Sequence, residues 1–422
     1  VPTGNGGIQV MDISDLRNLT YVTPGLNFQA FGNAAQPSIR GVGSTSSGVG
    51  DGSNVPIYLD GNYQPYQGGN FLQLKDIDRV EVLKGPQGSL YGRNAAGGAI
   101  VITTRNPSYE PQARLNIGYS RFNQIEGGAF VSMPIVKDKL AFSLSGEAIY
   151  SDGFRKDIYL DRMAGYISGR TVRGKLLFEP SNRIKVLAMA YYSKTNDLTN
   201  FGNQPYKGNT SVRLSAPSIL IADKSNTTAF SIQPVNINRK HGGNLKVDID
   251  LGWATLSSVS GLERDRQILA FDSDLTPAAN SQSTATINIK MFTQDVFLTS
   301  NLDGPFSFIA GGSYYRESDH ISLRSFGGLL VPSLTPPLRA GLEIDVRNRA
   351  FALFGEASYN LTDKLKLTGG LRYSEEKPGF IGRSMNVATG VFGAPIDTAP
   401  VKYSKLTPRA VLQYRFSPDL NA

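Results

Sequence analysis

Residues 92–99, GRNAAGGA, carry the glycine spacing of a phosphate-cradling loop, G-x-x-x-x-G, and the chemistry such a loop would serve is nucleotide binding. The side chains that chemistry needs are missing. A lysine must reach the β- and γ-phosphates and a Ser or Thr hydroxyl must meet Mg²⁺, yet those two places hold Gly98 and Ala99. A helix should then follow, whereas residues 99–104, AIVITT, are β-branched and read as a strand. Two histidines, His241 and His320, and no cysteine leave no thiolate or histidine metal cluster and no disulfide framework. No nucleophile, base and orienting group come together in the sequence, so we expect no enzyme, no cofactor and no metal.

The elements that would position any functional residue are strands. The 422 residues include 45 Gly, 19 Tyr and 21 Phe, with much Ser, Thr and Asn, and lack long runs of helix formers. The net charge of +8 is unevenly placed: residues 1–107 are neutral, with seven basic and seven acidic side chains, and the remainder has 36 basic against 28 acidic. These cations stand singly along strands and do not cluster as in a nucleic-acid-binding segment, so no nucleic acid is expected. No apolar stretch is long enough for a transmembrane helix, and the start VPTGNGG does not resemble a signal peptide.

From residue 114 onward, segments of roughly ten residues alternate in polarity, the length and period of strands crossing a bilayer at a tilt. In KLKLTGGLRYS, Leu365, Leu367, Leu371 and Tyr373 alternate with Lys366, Thr368, Arg372 and Ser374. The segments LTPRAVLQYRF (406–416) and KLAFSLSGEAIY (139–150) behave alike. A soluble antiparallel sheet with one buried face would alternate in the same way. Connection lengths separate the two readings. Short turns at 136–139, 179–183, 251–252, 301–305, 361–364 and 417–421 alternate with long connections at 151–168, 195–238, 267–283, 318–346 and 377–403. Only the short first connection, RFNQIEG at 121–127, departs from this. Short turns on one side and long loops on the other predict an outer-membrane barrel. Tyr119, Tyr150, Tyr192, Tyr314, Tyr359, Tyr373 and Tyr414, near strand ends, are expected in its aromatic girdles.

Directly ahead of this region come PSIRGVG (37–43), PIYLDGNYQ (56–64) and DIDRVEVLKGPQGSLYGRNAAGGAIVITTR (76–105). In this order they closely resemble the plug domain of TonB-dependent outer-membrane receptors. The resemblance covers residues 8–107 by motif and 113–416 by architecture. It implies a mainly β chain: a small mixed α/β plug at 1–107, then an antiparallel transmembrane β-barrel from 108 to 422. About 12 of an expected total of about 22 strands would be present, the size class closed by a plug. Both domains are expected to be incomplete, the plug at its N-terminus and the barrel at its C-terminus, because an open barrel sheet would expose unpaired backbone to hydrocarbon. A closed barrel of twelve strands is the alternative.

The resemblance also implies roles. Gly85, Gly88, Gly92, Gly97 and Gly98, with Tyr91 and Glu81, would form the closing plug segment, the glycines permitting turns crowded against the barrel wall. Arg40, beside Gly41, and Lys84 would face wall carboxylates, for which Glu147 and Glu356 are candidates. Tyr63, Gln64, Tyr66, Gln67 and Phe71 would meet ligand at the plug apices by stacking and hydrogen bonding. The implied function is TonB-driven import of a ferric siderophore across the outer membrane of a Gram-negative bacterium. Oligosaccharide, cobalamin or another organic nutrient is the alternative cargo; a passive porin or a soluble β-rich binding protein is the alternative class. Implied partners are TonB with its inner-membrane energising complex, the nutrient ligand, and outer-membrane lipid and lipopolysaccharide.

Overall fold

The computed structural model describes residues 16–31, 34–44, 50, 52–65, 76–86, 88, 94–199, 201, 216–278, 281–327, 339–398, 401–417 and 420–421. A 3₁₀ turn, Leu16–Tyr21, precedes seven short strands: β1 (Leu26–Phe31), β2 (Ala34–Ile39), β3 (Val42–Gly43), β4 (Ile57–Leu59), β5 (Asn62–Gln64), β6 (Ile77–Lys84) and β7 (Gly98–Thr104). The first three form one antiparallel sheet and the rest a mixed sheet of order β5-β4-β7-β6, in which β4 and β7 run parallel. Leu16, Leu19, Leu26, Ile39, Val55, Ile57, Leu59, Ile77, Val80, Ile100 and Ile102 pack into a core of their own between these elements. The apolar run at 99–102 is thus buried strand, as its β-branched residues predict.

The wall follows as β8 (Gln112–Ser120), β9 (Gln124–Val136) and β10 (Leu140–Ser151), then, past the short β11 (Arg155–Asp157) and β12 (Arg162–Ala164), β13 (Ile167–Ser181) and β14 (Ile184–Asp197). After β15 (Thr227–Thr228) come β16 (Val235–Asp250), β17 (Ala254–Asp272), β18 (Ser281–Ser300), β19 (Phe306–Gly327), β20 (Arg339–Asn360) and β21 (Leu365–Asn386). The last elements are β22 (Ile396–Thr398), β23 (Tyr403–Ser417) and β24 (Leu420–Asn421). All long strands pair antiparallel with their sequence neighbours in one curved sheet from β8 to β24. Among the described residues, β8 and β24 lie at opposite ends of the pairing order.

Twelve long strands among the described residues match the expected number, but their length does not match. β19, β20 and β21 each run 22 residues, roughly twice what a tilted bilayer crossing needs. The outer parts of these strands lie in stretches expected to be loop, because above the bilayer their outward positions turn polar and the alternation of polarity fades. The seven tyrosines expected in girdles all project outward, from 38% exposed at Tyr314 to 71% at Tyr119. Trp253 and Phe308 pack 6.4 Å apart at the short-turn end.

Candidate functional site

The β4–β5 hairpin is one of the places where the first seven strands meet the wall; Asp76, ahead of β6, and Arg17 of the 3₁₀ turn, 3.5 Å from Asp197, are others. Asp60 and Gly61, with φ of 49° and 83°, form the two-residue turn between β4 and β5, the type whose twist suits a hairpin and which favours Asp-Gly. The Asp60 carboxylate accepts hydrogen bonds from the Thr104 backbone N–H (2.9 Å) and hydroxyl (2.6 Å), so the turn is tied to the end of β7. From the wall, Lys175 Nζ reaches the same carboxylate at 3.2 Å and also donates to the Thr104 carbonyl at 3.1 Å. Two residues back along β13, on the same face, Arg173 donates to Asp76 at 3.1 Å. All four charged side chains are nearly dry, from 1% exposed at Lys175 to 6% at Asp60 and Arg173. Burial raises the Asp76 pKa, opposed first by the Arg173 charge and then by a hydrogen bond from Ser145.

Neutral contacts extend the seat. Asn244 donates to the Asp60 carbonyl at 2.7 Å, and Thr293 donates to Asn62 Oδ1 at 2.9 Å. Gly261 of β17 gives Asn62 its space: a Cβ there would lie 2.2 Å from Asn62 Oδ1. Lys240 of β16 donates to Gln64 Oε1 at 2.6 Å and pairs with Glu263 at 3.1 Å, and Tyr191 donates to the other Glu263 oxygen. Tyr63 stacks obliquely on Tyr58 and on Tyr315 of the wall, with centroids 5.6 and 5.8 Å apart. Beside this pair is a hollow lined by Tyr58, Tyr63, Tyr315, Arg372, Asp295 and Glu376, an aromatic surface with one cation and two carboxylates.

This geometry corrects several sequence expectations. Charge across the junction runs mainly in the opposite sense: acids of the hairpin sheet, Asp60 and Asp76, meet bases of the wall, Arg173 and Lys175. Arg40 and Lys84 are exposed and make no ion pair among the described residues. Glu356 is engaged by Arg409 across the wall strands, while Glu147 is buried on the lumen face of β10. Glu81 is exposed beside Arg79, 3.2 Å away. Gln64 is 2% exposed and held by Lys240, so it faces the wall, whereas Tyr63 does line the hollow. Tyr66, Gln67, Phe71, Tyr91 and Gly92 lie outside the described residues.

The crowding at Gly97 and Gly98 comes from the two sheets of the first seven strands, not the wall. Gly98, at φ 144°, would place a Cβ 2.1 Å from the Leu83 carbonyl oxygen and 2.8 Å from Ile39 Cδ1, and Gly97 is pressed on the Val42 carbonyl. Gly85 and Gly41 instead have positive φ and open space around them, and Gly88 sits in a turn. The sequence reading missed Asp60, Asp76, Arg173, Lys175 and Lys240. Arg173 and Lys175 were marked only by being basic on the wet face of an alternating strand.

A small folded unit seated by buried ion pairs on the inner face of a long antiparallel wall is a plugged outer-membrane barrel. Residues 7–99 match the TonB-dependent receptor plug domain, and residues 181–422 match the β-barrel of TonB-dependent receptors. The chain belongs to the TonB-dependent receptor family, whose members are Gram-negative outer-membrane β-barrel proteins rather than enzymes. It is 38% identical over 120 residues to the pesticin receptor of Yersinia pestis, covering 28% of this chain and 17% of that protein. To the ferrioxamine B receptor of Salmonella typhimurium it is 26% identical over 201 residues, 46% of this chain and 27% of the receptor. In fold it resembles the ferric yersiniabactin uptake receptor FyuA of Yersinia pestis, with TM-score 0.82 and 19% identity, over 100% of this chain and 62% of that one. The ferric-catecholate import receptor Fiu of E. coli in its open form gives TM-score 0.73 at 16% identity, over 100% of this chain and 67% of that one. The matched segments thus span less than a third of the curated relatives' lengths.

Proposed function

We propose that this protein imports a ferric siderophore across the outer membrane, with TonB and its inner-membrane energising complex supplying the work. The carrying observation is the seat: among the described residues the lumen-side unit is held to the wall by buried polar contacts, Asp60 to Lys175, Asp76 to Arg173 and Asn62 to Thr293, beside a small aromatic cluster at Tyr63 and Tyr315. Such contacts are strong while dry and are exchanged for water once opened, which suits a closure that force must move. We place the division between plug and barrel at residues 107 and 108. The hollow at Tyr58, Tyr63, Tyr315 and Arg372 would take the aromatic part of a chelate by stacking on its rings and on the guanidinium. Tyr66, Gln67 and Phe71 stay further candidates for ligand contact. The names of the relatives support this cargo class. The test is uptake of radiolabelled iron, offered as hydroxamate, catecholate and mixed-ligand siderophores, in a deletion strain carrying this receptor, with and without functional TonB. Uptake restored for one class and lost without TonB is expected. TonB-independent uptake, or growth rescue on a sugar with no iron uptake, would overturn the proposal.

A further inference from the structure

On the inner face of the wall, away from the Asp60 seat, two carboxylates stand without a counter-charge. Glu317 and Asp319 are two residues apart on β19 and so share its lumen face. They are 4% and 1% exposed. Glu317 accepts one hydrogen bond, from Asn348 Nδ2 at 3.0 Å, and meets no cation among the described residues. Asp319 has less: both of its carboxylate oxygens are buried, and neither has a hydrogen-bond partner among the described residues. Its cross-strand neighbours are apolar, Ile289 of β18 and Val346 of β20. The bases of these three strands, Lys290, Arg316, Arg347 and Arg349, alternate to the exposed face. Along the same row, Asp265 is two strands away and Lys240 three, and Lys240 is taken by Glu263 at 3.1 Å.

A buried, bare carboxylate is neutralised by a proton or by a cation. A proton would remove the charge of Asp319 and still leave its oxygens without partners, at the cost of any unpaired buried polar group. A cation would engage them. The plug closes over the pair at Gly50. Asn348 Nδ2 reaches the Gly50 carbonyl at 3.5 Å as well as Glu317, and a Cβ on Gly50 would lie 2.8 Å from Val346 Cγ1. A third oxygen, the Gly50 carbonyl, thus sits over the same patch of wall.

We propose that Glu317 and Asp319 form a calcium site between wall strand β19 and the plug at Gly50. The donors are all oxygens, two carboxylates with a backbone carbonyl beside them, which suits a hard cation and not copper or zinc. The scarcity of histidine and the lack of cysteine leave such a site open. Two negative charges match a divalent ion. Burial favours calcium over magnesium, because magnesium holds its waters and these oxygens are shut off from solvent. The bound ion ties the plug to β19 at a second place, independent of the Asp60 and Asp76 contacts to β13.

The experiment is equilibrium dialysis of the EDTA-stripped, detergent-purified receptor against radioactive calcium, with thermal unfolding in EDTA, calcium and magnesium. Wild type should bind one more calcium ion per chain than Asp319→Asn. Its Tm should rise by about 5 °C in calcium a hundredfold above Kd, and little in magnesium. Asp319→Asn and Asp319→Leu, relieved of a buried charge, should be at least as stable as wild type in EDTA and should not respond to calcium. Glu317→Gln supplies a further variant with the same loss of response, and the outward-facing control Asp345→Asn should keep it. Equal calcium stoichiometry in wild type and Asp319→Asn, or an equal Tm rise in magnesium, would overturn the proposal. A wild-type Tm indifferent to calcium would overturn it too, and would assign the pair to a proton. Iron uptake is read separately, so failure here does not bear on the import reading.

Discussion

Lys240 and Glu263 face the lumen, while Arg264 and Lys290, on the adjoining strands, face outward. The inner cation is 2% exposed and held by a carboxylate and an amide oxygen within 3.1 Å; the outer ones are exposed and without a partner in the described protein. The two faces share strands, register and backbone. What differs is where the counter-charge resides: inside it belongs to the same chain and sets how the plug sits, and outside the cations stand in solvent-accessible positions with no partner among the described residues. A buried cation stripped of its partner costs several kcal/mol, whereas an exposed one costs little in the fold.

The largest break in this comparison is inside the plug. Gly98→Val should cost more than about 4 kcal/mol, because the left-handed backbone and the contact with the Leu83 carbonyl both oppose a side chain. Channel conductance in planar bilayers should then rise from the closed level as the plug unseats. Next is the seat. Asp60→Ala leaves Lys175 buried without its carboxylate and should cost about 3–5 kcal/mol of plug docking, whereas Asp60→Leu combined with Lys175→Met should recover much of it. Chemical denaturation of wild type, Asp60→Leu, Lys175→Met and the double variant, read as a double-mutant cycle, checks this. By contrast Arg264→Gln and Arg316→Gln should each change stability in lipid-free detergent by no more than about 0.5 kcal/mol, and equal losses on the two faces would collapse the distinction.

A smaller effect tests burial at the end of β17. Burial pushes the Asp274 carboxyl up to about 6, against a hydrogen bond from the Thr276 hydroxyl that lowers it. A raised carboxyl favours the protonated folded form, so this contribution is complete below about 4 and is lost as pH rises through about 6. Amide exchange at Thr276, whose N–H donates to Asp274 Oδ1, should therefore speed up between these values beyond its intrinsic rate. An unchanged protection factor would count against the burial. The smallest is Tyr109, pushed up to about 12 by burial and by its hydrogen bond to Glu179. Glu179→Gln should bring one late-titrating tyrosine back toward 10 in ultraviolet titration.

Much of the fold was legible in the residues. Leu365, Leu367 and Leu371 against Lys366 and Thr368 can only be a strand with one apolar and one wet face, and connection lengths assigned the long-loop end. The Asp60-Gly61 pair between two short β-prone runs is likewise a hairpin written in sequence. The upper halves of β19, β20 and β21 were not legible, because above the bilayer their outward positions become Arg, His and Asp and the signal that marks a strand disappears. The site was least legible of all. The resemblance pointed to plug bases and wall acids, and the structure mainly shows plug acids and wall bases.

The amino-acid order by itself determined the period of two, and with it which side chains of each strand share a face, since that follows from local backbone geometry. It determined too that a β-branched run after the glycines is strand and not the helix of a phosphate loop. Only the tertiary structure decided that Asp60 meets Lys175, 115 residues away, and that Gly98 is crowded by Leu83 and Ile39. Those pairings depend on the register of several strands together and on where the hairpin lands on the wall, and no local pattern encodes either.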